Sequence, residues 1–163
     1  MASKAVFMDR DDTLAKDIPY CSDPDAFSVY PDVPGAIAKL NKAGFLVIVI
    51  TNQSGIGRGY FDVDTLNKVH GKMLSQIEEG GGHVDDIFFC PHTPDDHCSC
   101  RKPEIGMGLQ AVEKYDIDVS QSYMIGDKDK DIEFGNKLGC RRSIMVGEGT
   151  SFSDAVDSIL SEQ

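Results

Sequence analysis

A short apolar run that ends in closely spaced acids constrains this chain more than any other feature. The run Ala5–Met8 has the composition of a buried strand, and Asp9 and Asp11 follow it two positions apart. Carboxylates at this spacing after a strand lie at one edge of a sheet, which in open α/β sheets is the edge where ligands bind. Because the two acids repel each other, we expect a cation or a shared proton beside them. One acid can attack a substrate while its neighbour carries protons.

Apolar runs alternate with amphipathic stretches along the rest of the chain. Predicted strands cover residues 5–8, 45–50, 87–89, 123–125 and 143–146. Predicted helices cover residues 34–43, 64–79, 108–115, 131–138 and 152–160. This alternation predicts a Rossmann-like α/β fold, with about five parallel strands and helices on both faces of the sheet. We expect one domain, residues 1–163, in which the long loop 15–31 is a candidate for function because loops of this length usually are functional.

Charge and hydropathy exclude several classes of partner. The net charge of −11 disfavours nonspecific binding of nucleic acid, which needs a basic surface. The longest apolar run, residues 45–50, is far too short to cross a bilayer, and the first residues lack the apolar core of a signal peptide. We therefore expect a cytoplasmic monomer that binds neither nucleic acid nor membrane. A phosphorylated small molecule stays compatible with this charge, because a few local cations or a metal reverse the field at one site.

The second apolar run leads into a glycine-rich segment. Residues 51–61 read TNQSGIGRGYF, with three glycines among hydroxyl and amide side chains. Backbone N–H groups of such a segment can approach an oxyanion closely, which favours an anion site. The alternative is a flexible loop between a strand and a helix.

Cysteine and histidine crowd into residues 90–100. Cys90, Cys98 and Cys100, together with His92 or His97, provide four soft ligands that can close a tetrahedral site. Such a site is structural, because four protein ligands leave no open position. The alternative is a reduced cysteine loop without metal.

Two charged segments complete the set. Arg101 and Lys102 directly follow the last cysteine, where an arginine fork and a lysine point charge suit phosphate oxygens; the alternative is a solvated surface pair. Asp127 and Asp131 follow the apolar run 123–125 and offer the hard carboxylate oxygens that Mg²⁺ prefers, although Asp131 also suits the cap of a helix.

Taken in chain order, four of these segments resemble the four motifs of the phosphatases of the haloacid-dehalogenase (HAD) superfamily: Asp9 with Asp11, residues 51–61, Arg101 with Lys102, and Asp127 with Asp131. Residues 51–61 and 90–100 resemble in particular the branch that contains heptose 1,7-bisphosphate phosphatases and histidinol-phosphate phosphatases. The resemblance implies that Asp9 is the nucleophile and Asp11 the general acid and base. It also implies that Thr51 and Lys102 contact the phosphoryl group, and that the chain has no large cap domain.

The resemblance also implies the metal ligands and the substrate contacts. Mg²⁺ is expected on Asp9, the backbone carbonyl of Asp11 and Asp127, with Asp131 in support. Zn²⁺ is expected on Cys90, His92, Cys98 and Cys100. The residues expected to contact substrate are Asp17, Ile18, Pro19, Tyr20, Thr51, Asn52, Gln53, Ser54, Arg101 and Lys102.

The implied reaction is hydrolysis of the 7-phosphate of D-glycero-D-manno-heptose 1,7-bisphosphate, a small sugar phosphate, with histidinol phosphate as the alternative substrate. Arg101 favours the bisphosphate, because a second phosphate needs a cation. The family usually has glycine where this chain has Asp12, which adds a third carboxylate near the expected metal. A zinc-loop interaction module disabled by Asp12 is a non-catalytic alternative, disfavoured by the intact acidic and basic residues. A nucleic-acid 3′-phosphatase is disfavoured by the acidic charge.

Overall fold

The computed structural model describes residues 2–163, and its centre is a sheet in which every strand pair is parallel. The strands in chain order are β1 (Ala5–Met8), β2 (Leu46–Asn52), β3 (Asp86–Cys90), β4 (Tyr123–Gly126) and β5 (Arg142–Met145). They lie side by side in the order β3-β2-β1-β4-β5. The first strand is therefore central, and the predicted five-stranded parallel sheet is confirmed.

Five helices cover both faces of this sheet. They are α1 (Val33–Lys42), α2 (Val63–Glu79), α3 (Gly106–Tyr115), α4 (Asp129–Leu138) and α5 (Phe152–Leu160). Buried residues of α1, α2 and α5 share one apolar cluster, and those of α3 and α4 share the other. The predicted doubly covered α/β architecture is thus confirmed.

Strand β1 shows why the sheet is covered on both sides. Val6 and Met8 belong to the cluster under α1, α2 and α5, whereas Ala5 and Phe7 belong to the cluster under α3 and α4. All four side chains are fully buried, as expected for a central strand whose two faces both pack against helices. Burial on both faces explains the continuous apolar run in the sequence.

The strand order brings three chain segments together at the carboxyl edge of the sheet. Strand β1 pairs with β2 on one side and with β4 on the other. Asp9 follows β1, Thr51 lies in the last part of β2, and Asp127 follows β4. The order of strands reverses at β1, and ligands of open α/β sheets bind at such a reversal.

Two helices begin two residues earlier than the sequence predicts. Helix α3 starts at Gly106 rather than residue 108, and α4 starts at Asp129 rather than residue 131. In α4 the difference has a clear cause, because Asp131 lies within the first turn. Its Oδ2 accepts hydrogen bonds from the backbone N–H groups of Asp127 and Lys128, each at 3.2 Å, and so satisfies N–H groups at the start of the helix.

The connections at the carboxyl edge are loops with little regular structure. Residues 9–32 contain one 3-10 turn, Pro24–Ala26, and residues 91–105 contain another, Pro94–Asp96. Neither connection forms a large cap domain, as expected. Among residues 2–163, none of the helices is both long and apolar enough to cross a membrane.

Candidate active site

The buried ammonium of Lys102 lies at the centre of the site. Its Nζ donates to Asp9 Oδ1 at 2.8 Å, to Asp131 Oδ1 at 2.7 Å and to the carbonyl oxygen of Ile50 at 2.9 Å. Burial alone would raise the pKa of Asp9, but the charge and hydrogen bond of Lys102 bring it below its usual range. Burial would likewise lower the pKa of Lys102, and the two carboxylates raise it instead. Asp9 and Lys102 are therefore held as an ion pair.

Two further carboxylates, those of Asp127 and Asp131, lie close to the Asp9 carboxylate of this ion pair. One oxygen each of Asp9, Asp127 and Asp131 lie within 4.8 Å of one another. The pKa of Asp127 is raised to about 7 by burial and by the neighbouring charge of Asp9. Asp131 already accepts bonds from Lys102 and from two backbone N–H groups, so it is the best satisfied of the three. The three carboxylates face a single ammonium, and a hard cation suits the negative charge that remains at Asp9 and Asp127.

Gly126 allows Asp131 to reach this position. A Cβ atom at residue 126 would overlap the Asp131 side chain, so only glycine lets β4 end this close to the first turn of α4. The short strand-to-helix connection therefore depends on a residue without a side chain.

Asp11 points to a different group of partners. Its carboxylate accepts from Arg10 Nε at 2.9 Å and Arg10 Nη2 at 3.3 Å, with Gln53 Nε2 at 3.5 Å on the other side. Burial raises the pKa of Asp11 more than the Arg10 charge lowers it. A carboxyl group with a raised pKa can hold a proton and deliver it, which is what a general acid requires.

The last residues of β2, together with Gln53 that follows them, support the site from the other side. Asn52 Oδ1 accepts from the backbone N–H of Lys102 at 2.9 Å, and Asn52 Nδ2 donates to the Lys102 carbonyl oxygen at 3.3 Å. Gln53 Nε2 donates to the buried Thr51 hydroxyl oxygen at 2.9 Å. The amide side chain of Asn52 therefore fixes the backbone that carries Lys102, a contact that the sequence did not indicate.

A cavity of about 270 Å³ opens beside Asp11. Most residues predicted to contact substrate line it, whereas Thr51 and Lys102 are buried beneath the strand ends. Its lining residues are Arg10, Asp11, Asp17, Ile18, Pro19, Tyr20, Asn52, Gln53, Ser54, Gly55, Arg101, Lys128 and Lys130.

Lys128 and Lys130 were missed by the sequence analysis. Lys130 is half-buried, and burial together with the charges of Lys128 and Arg101 lowers its pKa. Within residues 2–163 it forms no salt bridge. Arg10 on the cavity wall is paired with Asp11, and the three further cations on that wall, Arg101, Lys128 and Lys130, favour an anion of high charge in a chain of net charge −11. In the sequence, Lys128 and Lys130 alternate with Asp127, Asp129 and Asp131, and this alternation is the only local pattern that places them beside the carboxylates.

Asp12 stands where the resemblance led us to expect glycine. Its φ of 58° lies in the left-handed region, which aspartate tolerates better than most residues. Its Oδ1 accepts from the backbone N–H of Asp17 at 2.9 Å, and its own N–H donates to the Ala15 carbonyl oxygen at 2.6 Å. The Asp12 carboxylate therefore closes a turn in the loop that leads to the cavity, and it is not part of the group formed by Asp9, Asp127 and Asp131.

The cysteine and histidine residues predicted as zinc ligands also come together. Donor atoms of Cys90, His92, Cys98 and Cys100 all lie within 4.8 Å of one another, and His97 is outside this set. Four of the separations, from 3.2 to 3.7 Å, are close to the roughly 3.3–3.8 Å expected between donors of a tetrahedral zinc ion. The structure pairs Cys90 and Cys100 as a disulfide, so zinc binding requires this pair to be reduced, because both sulfurs must be thiolates to bind the metal.

Comparisons with known proteins agree with this geometry. A family model described as HAD-hydrolase-like matches residues 99–161. The chain is 40% identical over 136 residues to a probable D-glycero-D-manno-heptose-1,7-bisphosphate 7-phosphatase of Thermoplasma volcanium, covering 83% of this chain and 93% of that protein. It is 37% identical to the D-glycero-beta-D-manno-heptose-1,7-bisphosphate 7-phosphatase of Haemophilus influenzae, covering 97% and 94%. The D,D-heptose 1,7-bisphosphate phosphatase structure from B. bronchiseptica, complexed with magnesium and phosphate, superimposes with a TM-score of 0.88 at 34% identity, covering 98% and 99%.

Removal of the buried ammonium tests whether the ion pairs hold the site together. Lys102→Met should lower the free energy of unfolding by about 3–5 kcal/mol, because Asp9 and Asp131 would be left buried without their cation. Urea unfolding in the presence of EDTA measures this change. Lys114→Met removes the exposed partner of Asp86 and should have a much smaller effect. Equal losses in the two variants would contradict the assignment of stability to the buried pairs.

Proposed function

The chain belongs to the HAD-like hydrolases, in the branch of the D-glycero-D-manno-heptose-1,7-bisphosphate 7-phosphatases, and from this premise we propose that it hydrolyses the 7-phosphate of such a sugar bisphosphate. The proposed catalytic domain is residues 1–163. One observation carries the proposal: Asp11 lines a cavity whose wall also holds Arg101, Lys128 and Lys130, and Asp9 precedes it by two residues at the same edge of the sheet, bonded to Lys102. The site thus combines a nucleophile, a proton carrier and cations for a substrate with two phosphates.

Asp9 and Asp11 divide the chemistry between them. The Asp9 carboxylate attacks phosphorus, the bond from phosphorus to the sugar oxygen breaks, and Asp11 gives its proton to that oxygen. A water molecule then attacks the aspartyl-phosphate, Asp11 takes the proton of the water, and the bond from phosphorus to Asp9 breaks to release phosphate. The raised pKa of Asp11 and the lowered pKa of Asp9 support this division, since the first needs a proton and the second needs a charge.

Mg²⁺ completes the proposed site. Asp9, Asp127 and the backbone carbonyl of Asp11 would hold it, with Asp131 in support, and when bound it offsets the repulsion between the Asp9 carboxylate and phosphate. The three clustered carboxylates and the raised pKa of Asp127 support a cation here. The magnesium and phosphate in the similar B. bronchiseptica structure give independent support.

Thr51 and Lys102 stabilise the transferring phosphoryl group. The Thr51 hydroxyl lies at the end of β2, and Lys102 is bonded directly to the nucleophilic carboxylate. The ammonium is therefore positioned to neutralise charge on the phosphoryl oxygens. Both side chains are buried, so neither needs to be ordered when substrate binds.

The remaining lining residues hold the sugar and its second phosphate. Asp17, Ile18, Pro19 and Tyr20 form one side of the cavity, and Asn52, Gln53 and Ser54 form another. Arg101, Lys128 and Lys130 are assigned to the distal phosphate. Histidinol phosphate carries an amino group and an imidazole instead of a second phosphate, so these cations disfavour it. Monomeric state and cytoplasmic location stay predictions.

We also propose a structural zinc ion on Cys90, His92, Cys98 and Cys100. Cys90 ends β3, and Arg101 and Lys102 directly follow Cys100. The metal would therefore tie the basic residues of the site to the sheet. The donor separations support this proposal, and the reduced form of the Cys90–Cys100 pair is the form that binds zinc.

Replacement of the nucleophile tests the reaction. Asp9→Asn keeps the shape of the side chain but removes its charge, so phosphate release from heptose 1,7-bisphosphate should fall to background, in a reaction that needs Mg²⁺. Asp11→Asn should fold normally and lose roughly 10²–10⁴-fold in turnover. A panel of sugar phosphates that includes histidinol phosphate identifies the substrate. Release by Asp9→Asn at the wild-type rate would reject the proposed nucleophile, and a preference for histidinol phosphate would reject the proposed substrate.

Zinc content tests the second metal site. Protein purified under reducing conditions, without added zinc, should contain about one zinc ion per chain. Cys98→Ser should lose that zinc, whereas Cys21→Ser should retain it because Cys21 is buried in another part of the fold. Elemental analysis of the three proteins gives the stoichiometry. Undiminished zinc in Cys98→Ser would rule out the assigned ligand set.

Arg101 should discriminate between bisphosphate and monophosphate. A charge-assisted contact contributes roughly 1.5–3 kcal/mol, which is about 10- to 150-fold in kcat/KM. Arg101→Ala should lose this factor on the heptose bisphosphate and little on p-nitrophenyl phosphate. Lys137→Ala removes an exposed cation paired with Glu133 and should change neither value. Equal losses of Arg101→Ala on the two substrates would show that Arg101 supports the loop rather than the distal phosphate.

A further inference from the structure

A buried chain of hydrogen bonds connects Asp11 to helix α2. The Nε and Nη2 atoms of Arg10 donate to the two oxygens of Asp11 at 2.9 and 3.3 Å. The third nitrogen, Nη1, lies 3.1 Å from Nε2 of His70. His70 lies in the middle of α2 and is not among the residues that line the cavity. It therefore touches the chemistry only through Arg10.

The protonation of His70 follows from its partner. An arginine guanidinium only donates hydrogen bonds, so His70 Nε2 must accept and the ring must carry its hydrogen on Nδ1. Burial, and then the charge of Arg10, lower the pKa of His70 to about 3. The imidazole thus stays neutral and keeps its acceptor throughout the pH range in which an enzyme of this kind works.

Among residues 2–163, the guanidinium of Arg10 is hydrogen-bonded to Asp11 and His70 alone. It is 1% exposed, and its guanidinium carbon lies 5.6 Å from the centre of the Phe27 ring. Because the side chain is enclosed, loss of the acceptor at Nη1 would leave a buried donor without a partner. The guanidinium would then move toward another acceptor, and the two bonds that orient Asp11 would move with it.

We propose that His70 is a positioning residue for the proton transfers of Asp11, and that it acts by holding the guanidinium of Arg10 in the plane that bonds both Asp11 oxygens. The inference rests on the proposed function. Within residues 2–163 the His70 side chain makes a hydrogen-bond contact to Arg10 and none to Asp9, Lys102 or Asp127, so its effect should be confined to the two proton transfers of Asp11, the first of which gives the leaving oxygen its proton. A small displacement of a proton donor lowers the rate of proton transfer, because the donor must lie within hydrogen-bonding distance of the leaving oxygen.

The dependence of rate on the leaving group separates this role from a purely structural one. A sugar oxygen leaves poorly without a proton, whereas p-nitrophenolate leaves readily without one. The value of kcat/KM reports the steps up to release of the alcohol or phenol, which include this protonation. A misplaced Asp11 should therefore reduce kcat/KM for the sugar phosphate far more than for p-nitrophenyl phosphate.

Three variants of α2 provide the test. His70→Met removes the acceptor and keeps much of the volume, His70→Gln restores an acceptor near the Nε2 position, and Val69→Ala perturbs the adjacent buried core without removing an acceptor. We expect His70→Met to lose about 10–100-fold in kcat/KM on heptose 1,7-bisphosphate, a part of the roughly 10²–10⁴-fold that general acid–base catalysis supplies. Its loss on p-nitrophenyl phosphate should be under about threefold, and His70→Gln and Val69→Ala should stay within about threefold on both substrates.

The Mg²⁺ concentration for half-maximal activity should be the same in all variants. Equal losses of His70→Met on the two substrates, or no loss on either, would overturn the inference. His70→Asn, whose shorter side chain does not reach Arg10, replaces His70→Met if that variant does not fold, with the same expected result. Failure of the proposed function is distinguishable, because the wild-type protein would then release no phosphate from the bisphosphate or would do so without Asp9.

Discussion

The ammonium of Lys102 is the interaction on which the rest of the site depends. It links the Asp9 carboxylate after β1, the Ile50 carbonyl of β2 and Asp131 in the first turn of α4. A buried ammonium is strongly destabilising unless its donors are satisfied, and here three acceptors from three elements satisfy them. Asn52 in turn fixes the backbone of Lys102 through two hydrogen bonds. The position of the Asp9 carboxylate relative to β2 and α4 is therefore set by one enclosed side chain.

The fold and most of the site follow from local patterns in the sequence. Buried parallel strands are continuous apolar runs, and the polar residues that end them, Asp9, Thr51 and Asp127, had to meet at one edge. Lys128 and Lys130 were not recognised because they alternate with acids, which is also the pattern of a solvated helix start. Only the shared cavity with Arg101 distinguishes the two interpretations. The start of α4 was shifted because the bonds of Asp131 to preceding N–H groups cannot be derived from periodicity.

Two other contacts were beyond sequence analysis for a different reason. His70 occupies a position that suits the apolar stripe of α2, and its partner Arg10 is 60 residues away in the chain. Asp12 was expected to add charge near the metal, whereas its carboxylate accepts a hydrogen bond from the Asp17 backbone. In both cases the residue type is a poor guide, because the tertiary partner decides what the side chain does. Each contact holds a residue of the cavity wall, Arg10 in one case and Asp17 in the other. Neither His70 nor Asp12 belongs to the group of carboxylates around Lys102.

The site places groups of like charge close together, and this arrangement has a consequence for ligand binding. Burial and the charge of Asp9 raise the pKa of Asp127, while burial and the charges of Lys128 and Arg101 lower the pKa of Lys130. Like charges are thus held together at the carboxylate cluster and on the basic wall of the cavity, at a cost in stability. A divalent cation at Asp9 and Asp127 would remove the first repulsion, and a phosphorylated ligand beside Lys130 would remove the second. Because such ligands bind the folded chain, their binding free energy adds to its stability. The repulsion in the free protein therefore also contributes to the affinity of the site for both of these ligands.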